Sequence, residues 1–284
     1  LSVSFEKKVG SKNFMGVKGL YSYLRPYRKS PQCEETFCIG IDVLSLLYKF
    51  RGNLQQIEQL LDIYLGKGFT FVAVFDGKSP EAKQEEVSER RKKREEAQKQ
   101  ADELKLYLSS EDSTCLDEKA RGLLEKKIKQ IEMGEAWYVS KMLLKQFTEF
   151  LQKKQIKVYK AREEADDVLI ELFKENKIRA ILSTDMDFLV LGVERIWIPA
   201  DTVEEIILSE VMTSEDVTLQ QLQDIAILCR DSISTQRAFS WIRHYGSLDV
   251  LVERHRLVSY TKEQLEIFRK SFQLSKSLSE LIEN

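Results

Sequence analysis

Histidine and cysteine are scarce in this chain of 284 residues, which holds two histidines (His244 and His255) and four cysteines (Cys33, Cys38, Cys115 and Cys229). Their spacing fits neither a disulfide framework nor a zinc site, and a reducing intracellular compartment is the expected setting. An excess of charge of one sign is missing as well. With 44 basic and 46 acidic residues the formal net charge is −2, so a nucleic-acid partner would have to be attracted by local electrostatics. No apolar run approaches a membrane-spanning length, no secretory signal opens the sequence, and repeats and low-complexity stretches are lacking. What is present is a hydrophobic content of 43%, ordinary for a globular protein. The length suits one large α/β domain, alone or with a smaller helical one.

Several carboxylates stand where building a core does not ask for them. Residues 181–191 form an apolar run interrupted only by polar Ser183 and Thr184 and by Asp185 and Asp187, and residues 178–182 before the pair read as a short buried strand. Taken singly, a Ser-Thr-Asp turn after a strand needs no special explanation. The same ending recurs, however. Residues 37–41 read as a strand ending at Asp42, and the aromatic, β-branched run 69–75 ends at Asp76-Gly77. A brief strand over 156–159 leads into Glu163-Glu164-Ala165-Asp166-Asp167 at the start of a helix to Phe173. Four acids in five positions exceed what the helix dipole favours.

The remaining pattern predicts helices over 15–26, with Leu20 and Leu24 on one face, and over 43–50, 54–65 and 135–153. The inner face of the last should carry Ala136, Val139, Met142, Leu143, Phe147 and Phe150. Residues 195–198 are expected to be the last strand, followed by helices over 219–228, 238–244 and 248–254. Residues 78–134 are rich in Glu, Lys and Arg and break near 109–114, the pattern of a solvated helical hairpin or short coiled coil. Residues 1–14 carry no periodic pattern and precede Met15-Gly16, so they read as a leader foreign to the native protein.

Strand–helix alternation favours a mainly parallel sheet, whose strands end on one edge. Asp42, Asp76, Asp185 and Asp187 would meet there with Glu164 and Asp166. So many carboxylates cannot share a pocket fully ionised without cations, and oxygen-only ligation points to Mg2+ or Mn2+.

In order, Met15-Gly16-Val17-Lys18-Gly19-Leu20, the strand ending at Asp42, Val74-Phe75-Asp76-Gly77-Lys78, Glu164-Ala165-Asp166-Asp167 and Thr184-Asp185-Met186-Asp187 resemble the motifs of the flap endonuclease, or XPG-type, family of 5′ nucleases. The resemblance spans residues 15–231. It implies a PIN-like α/β core over 15–203 with a helical arch over 79–134, and a helical DNA-binding region over 204–284. It also implies two divalent ions per site and cleavage of DNA carrying a 5′ flap, nick or branch. By that resemblance the metal ligands are Asp42, Asp76, Glu164, Asp166, Asp185, Asp187 and Asp231, with Asp167 as an alternative. Lys83 and Arg90 match catalytic positions on the arch. Tyr48, Arg94, Lys18 and Arg237 are candidate DNA contacts, and a nuclear or other replication compartment, a viral one included, is the expected location.

The sequence departs from that family after Asp231. Residues 231–238, Asp-Ser-Ile-Ser-Thr-Gln-Arg-Ala, contain neither Gly nor Pro, so a duplex clamp built on backbone amides is expected to be altered. The sliding-clamp motif is also missing from the tail, and clamp binding is not expected. A non-catalytic PIN-like binding module, or an exonuclease, junction resolvase or RNA nuclease of the same chemistry, are the alternatives.

Overall fold

The computed structural model describes residues 17, 19–110, 116–230, 233–255, 260–273 and 276–283. It divides into two compact units, Leu1–Ser79 with Gln146–Asn284, and Pro80–Lys145.

The first unit opens with α1 (Leu20–Tyr23) and a 3₁₀ turn, Arg25–Tyr27, in whose first turn Pro26 gives up no hydrogen bond. Leu20 and Leu24 are both buried, as their spacing predicts. There follow β1 (Cys38–Asp42), α2 (Val43–Lys49), α3 (Leu54–Gly66), capped by Asn53, and β2 (Thr70–Phe75).

The second unit begins at a 3₁₀ turn, Glu81–Lys83, and consists mainly of α4 (Gln84–Ser109) and α5 (Glu118–Met133). Small side chains at Ala97 and Ala101, one helical turn apart, are buried with Ile128 in the seam between them. Around it the surface is charged, with same-helix pairs Arg90–Glu86, Arg91–Glu95 and Lys99–Glu103 and the interhelical pair Lys105–Glu132.

The chain re-enters the first unit within α6 (Lys141–Lys153). This helix starts six residues later than the periodicity suggests. The Leu143 amide donates to Ser140 Oγ at 3.1 Å, a capping bond that fixes the start and leaves 135–140 outside. Phe147 and Leu151 are buried, whereas Met142, expected inside, is 70% exposed.

Then come β3 (Lys157–Lys160), α7 (Ala165–Lys174), β4 (Ala180–Leu182), α8 (Asp187–Val190), β5 (Arg195–Ile198) and β6 (Glu204–Ile207). The remaining described elements are helical: α9 (Leu208–Glu215), α10 (Leu219–Arg230), α11 (Thr235–Tyr245), α12 (Leu248–His255), α13 (Lys262–Ser271) and α14 (Leu278–Leu281).

The six strands form one sheet in the order β3-β2-β1-β4-β5-β6. All neighbours are parallel except β5 and β6. Alternation along β2 sends Val72 and Val74 into a core shared with α1, α7 and the C-terminal helices. On the opposite face Phe75 meets Phe147 of α6 at 6.4 Å, and Trp197 of β5 meets Tyr64 of α3 at 4.9 Å. Covered on both faces, the strands read as continuous apolar runs.

Strand β6 is the main departure from expectation, since 195–198 was to be the last strand. Glu205, at the centre of β6, is fully buried and conceals the strand pattern. Its carboxylate accepts from Arg195 Nη1 of β5 at 2.7 Å and from the Gln32 amide at 3.2 Å, so the buried charge is paired. Isolated bridges flank the outer strands, Lys29 to Glu205 beside β6 and Ala161 to Ile282 beside the end of β3.

Removing Glu205 would strand the Arg195 guanidinium. Glu205→Ala is expected to lower unfolding stability by about 3 kcal/mol, read as a reduced urea midpoint at unchanged slope.

Candidate metal centre

The chain runs outward from β1 through β2 to β3, then crosses back to β4 on the other side of β1. Crossovers diverge at that point, so a crevice is expected at the carboxyl ends of β1 and β4. In register Ile41 pairs with Leu182 and Asp42 with Val74, which brings the ends of three strands level.

Asp42, Asp76, Asp185 and Asp187 are each held by a hydrogen-bond donor. Asp42 caps α2 by accepting from the Ser45 amide at 3.0 Å, and its other oxygen accepts from Ser183 Oγ at 2.9 Å. Ser183 Oγ in turn accepts from the Asp185 amide at 3.0 Å, and Asp185 Oδ1 accepts from the Asp187 amide at 2.9 Å. Asp187 is buried and accepts from the Val17 amide at 2.9 Å. Asp76 reaches across to α7, where its Oδ1 accepts from the Ala165 amide at 2.7 Å and so takes the capping place. Glu164 is the N-cap residue of that helix but makes no side-chain capping bond, and Asp166 and Asp167 lie in its first turn.

Gly77 explains how Asp76 is brought so close to α7. Its amide donates to Glu163 O at 2.7 Å, and a Cβ there would lie 2.1 Å from Ala161 O. Only glycine allows these two backbones to meet.

Electrostatics mark the same group. Burial, then the charges of Asp76 and Asp185, push the Asp42 carboxyl up to about 7, against the pull of its Ser45 and Ser183 hydrogen bonds. Asp166, half-buried, is pushed well above the carboxylate range, first by desolvation and then by Asp42, Asp185, Asp76 and Glu164. Five of the seven expected ligands, Asp42, Asp76, Glu164, Asp166 and Asp185, thus form one electrostatic cluster, and Asp187 joins it through Asp185. Among the described residues no three carboxylates yet stand in a ligating arrangement. Like charges gathered at one buried edge raise one another's pKa. The oxygen-only donors suit a hard divalent cation such as Mg2+ or Mn2+.

Asp231 and Lys18 lie outside the described residues. Tyr48, at the C-terminal end of α2, is 40% exposed. Arg237, in the first turn of α11, is exposed and lies over Trp241 at 5.2 Å. Lys83, Arg90 and Arg94 belong to the second unit. Lys83 closes its 3₁₀ turn, Arg90 pairs with Glu86, and Arg94 lies 5.6 Å over the Tyr138 ring. Sequence reasoning missed two hydroxyls that wire the site: Ser45 Oγ, which accepts from the Thr184 amide at 2.8 Å, and Ser183 Oγ. Nothing in the local pattern announces either.

A family model of the XPG I-region matches residues 155–232, which include Glu164, Asp166, Asp185 and Asp187. The chain is 27% identical over 278 residues to flap endonuclease 1-A of Sorghum bicolor, covering 84% of this chain and 69% of that protein. It is 30% identical over 278 residues to flap endonuclease 1-B of Physcomitrium patens, covering 84% and 75%. Its fold is similar to the catalytic core of Rad2 in complex with DNA substrate, with a TM-score of 0.57 at 15% identity, covering 90% of this chain and 78% of that one.

The raised carboxyls have a measurable sign. A group whose folded-state pKa is raised contributes stability that is complete below its unfolded value, near 3.8, and is lost as pH rises through about 7. In EDTA the protein should therefore lose thermal stability from about pH 4 to about pH 7. Asn at position 42 can keep the Ser45 cap, so Asp42→Asn should flatten that slope and raise Tm by about 2–4 °C per kcal/mol recovered. Gly77→Ala should cost about 2 kcal/mol or more, measured by chemical unfolding, because backbone must move to admit the methyl.

Proposed function

The chain belongs to the flap endonuclease, or XPG-type, family of 5′ nucleases, and from that premise we propose that it is a divalent-metal-dependent, structure-specific nuclease that hydrolyses phosphodiester bonds in flapped, nicked or branched DNA. The observation that carries the reading is the carboxylate cluster at the β1/β4 edge, in which burial first, and then the charges of their neighbours, drive Asp42 and Asp166 toward neutrality. Carboxylates crowded this way, on an oxygen-only donor set, suit a site that receives cations.

In this reading Asp42, Asp76, Glu164, Asp166, Asp185 and Asp187 hold two Mg2+ or Mn2+ ions, with Asp231 as a seventh ligand and Asp167 beside them. Bound there, such ions would supply Lewis acidity toward a phosphodiester and its attacking water. The chain's own contribution is orientation. The Ser45, Ala165, Asp187 and Val17 amides each fix one carboxylate oxygen. Each of these carboxylates is thereby tethered at the strand-end edge before substrate arrives. The Tyr48 ring offers a stacking surface for an unpaired base. Arg237 and Lys18 supply charge toward backbone phosphates, and Lys83, Arg90 and Arg94 of the second unit are assigned to the scissile strand.

The test is cleavage of a panel of 5′-flap, nicked, four-way-junction, single-stranded and RNA substrates with Mg2+ and with Mn2+. Wild type should cut the flap or branched DNA only when metal is present. Asp166→Ala should fall to about 1% of that rate or below while keeping its circular dichroism spectrum, the scale of loss seen when one charge-stabilising partner is removed. Cutting that persists in EDTA, or in pure Asp166→Ala protein, would overturn the reading.

A further inference from the structure

A ladder of contacts runs between α1 and α11. Gly19 lies against the first residue of α11, where a Cβ would come within 2.8 Å of Thr235 Oγ1. Four residues on, the Tyr23 ring stacks on Phe239 with centroids 4.4 Å apart and planes 13° from parallel. Another four residues on, Tyr27 and Arg243 meet at the same carboxylate. Glu215, the buried last residue of α9, accepts from Tyr23 OH at 2.9 Å, Tyr27 OH at 2.5 Å and Arg243 Nη1 at 3.0 Å. Gly19 and Tyr23 thus meet Thr235 and Phe239 at matching spacings of four, and Tyr27, in the 3₁₀ turn that follows α1, is joined to Arg243 through Glu215.

Apolar packing alone would hold α1 against α11 but would leave it free to slide or turn, because dispersion and burial have little directionality. The three hydrogen bonds on Glu215 remove that freedom. Where α1 stops along its axis matters at its other end. The Leu20 amide donates to Val17 O at 3.2 Å, and the Val17 amide donates to Asp187 at 2.9 Å. A displacement of about 1 Å would break that last bond.

We propose that α1, latched by Glu215 to Tyr23, Tyr27 and Arg243, is a strut that positions Asp187 through the Val17 amide. Glu215, Tyr23 and Tyr27 are positioning residues, and none of them touches the carboxylate cluster. The strut rests on the reading of Asp187 as a ligand and adds to it a dependence of metal affinity on the α9 and α11 helices.

The test uses the full chain and Mn2+ alone. The double variant Tyr23→Phe/Tyr27→Phe keeps both rings and removes only the hydroxyls. Calorimetry should show its Mn2+ dissociation constant raised by about tenfold, the scale seen when an outer-shell partner of a ligand is lost. Hydrogen exchange at a peptide containing Val17 should quicken, and flap cleavage should recover as Mn2+ is raised. Asp249→Asn, which weakens the Arg269 network linking α10, α12 and α13, serves as the comparison and should keep wild-type affinity.

An unchanged Mn2+ affinity in the double variant, or an equal loss in Asp249→Asn, would overturn the strut while the metal reading stood. A wild-type protein that bound no Mn2+ would overturn that reading, and the strut with it.

Discussion

Carboxylates gathered at one edge of a parallel sheet repel one another, and the fold must hold them together by other means. It does so with hydrogen-bond donors drawn from several segments. The β1 end is fastened by the first turn of α2, the β2 end by the first amide of α7, and the β4 turn by its own amides and by Val17. These donors favour the charged form of the groups they hold, while burial and mutual repulsion favour the neutral one. At Asp42 burial and the neighbouring charges outweigh the Ser45 and Ser183 bonds. Helix starts and strand ends are therefore placed here as much by the needs of the site as by those of the core.

The units of the fold were legible wherever a single period governed a segment. The runs of β1 and β2, the spacing of α2 and α3 and the acidic start of α7 all lie where alternation or helical repeat puts them. Legibility failed where a polar side chain does a buried job. Glu205 interrupts the apolar pattern of β6, and nothing local announces that its partner is Arg195 on the preceding strand. The start of α6 was misplaced for the complementary reason: apolar Ala136 and Val139 continue the helical spacing, but Ser140 offers the capping oxygen that fixes the boundary.

The site was legible as a set of residue types but not as a network. Repetition of an aspartate at successive strand ends was enough to gather Asp42, Asp76 and Asp185. The route by which they are held was not, because hydrogen bonds such as Asp76 to Ala165 join positions 89 residues apart. Glu215 illustrates the limit well. It is one acid among many in a charged sequence, and only the approach of α1 to α9 and α11 gives it three donors.

The two isolated bridges at the margins of the sheet bear on how the protein behaves in concentrated solution. A strand with an open side offers a row of backbone groups to any passing extended chain. Here the Arg162 amide and the Lys160 carbonyl, at the end of β3, are engaged by Leu281 and Glu283, and Glu205 of β6 exchanges both of its backbone bonds with Lys29. Segments far apart in the chain thus act as selvedges that stop the sheet from growing. Loss of either, by trimming or by local fraying, would convert a covered margin into an adhesive one and favour self-association through strands rather than through any surface patch.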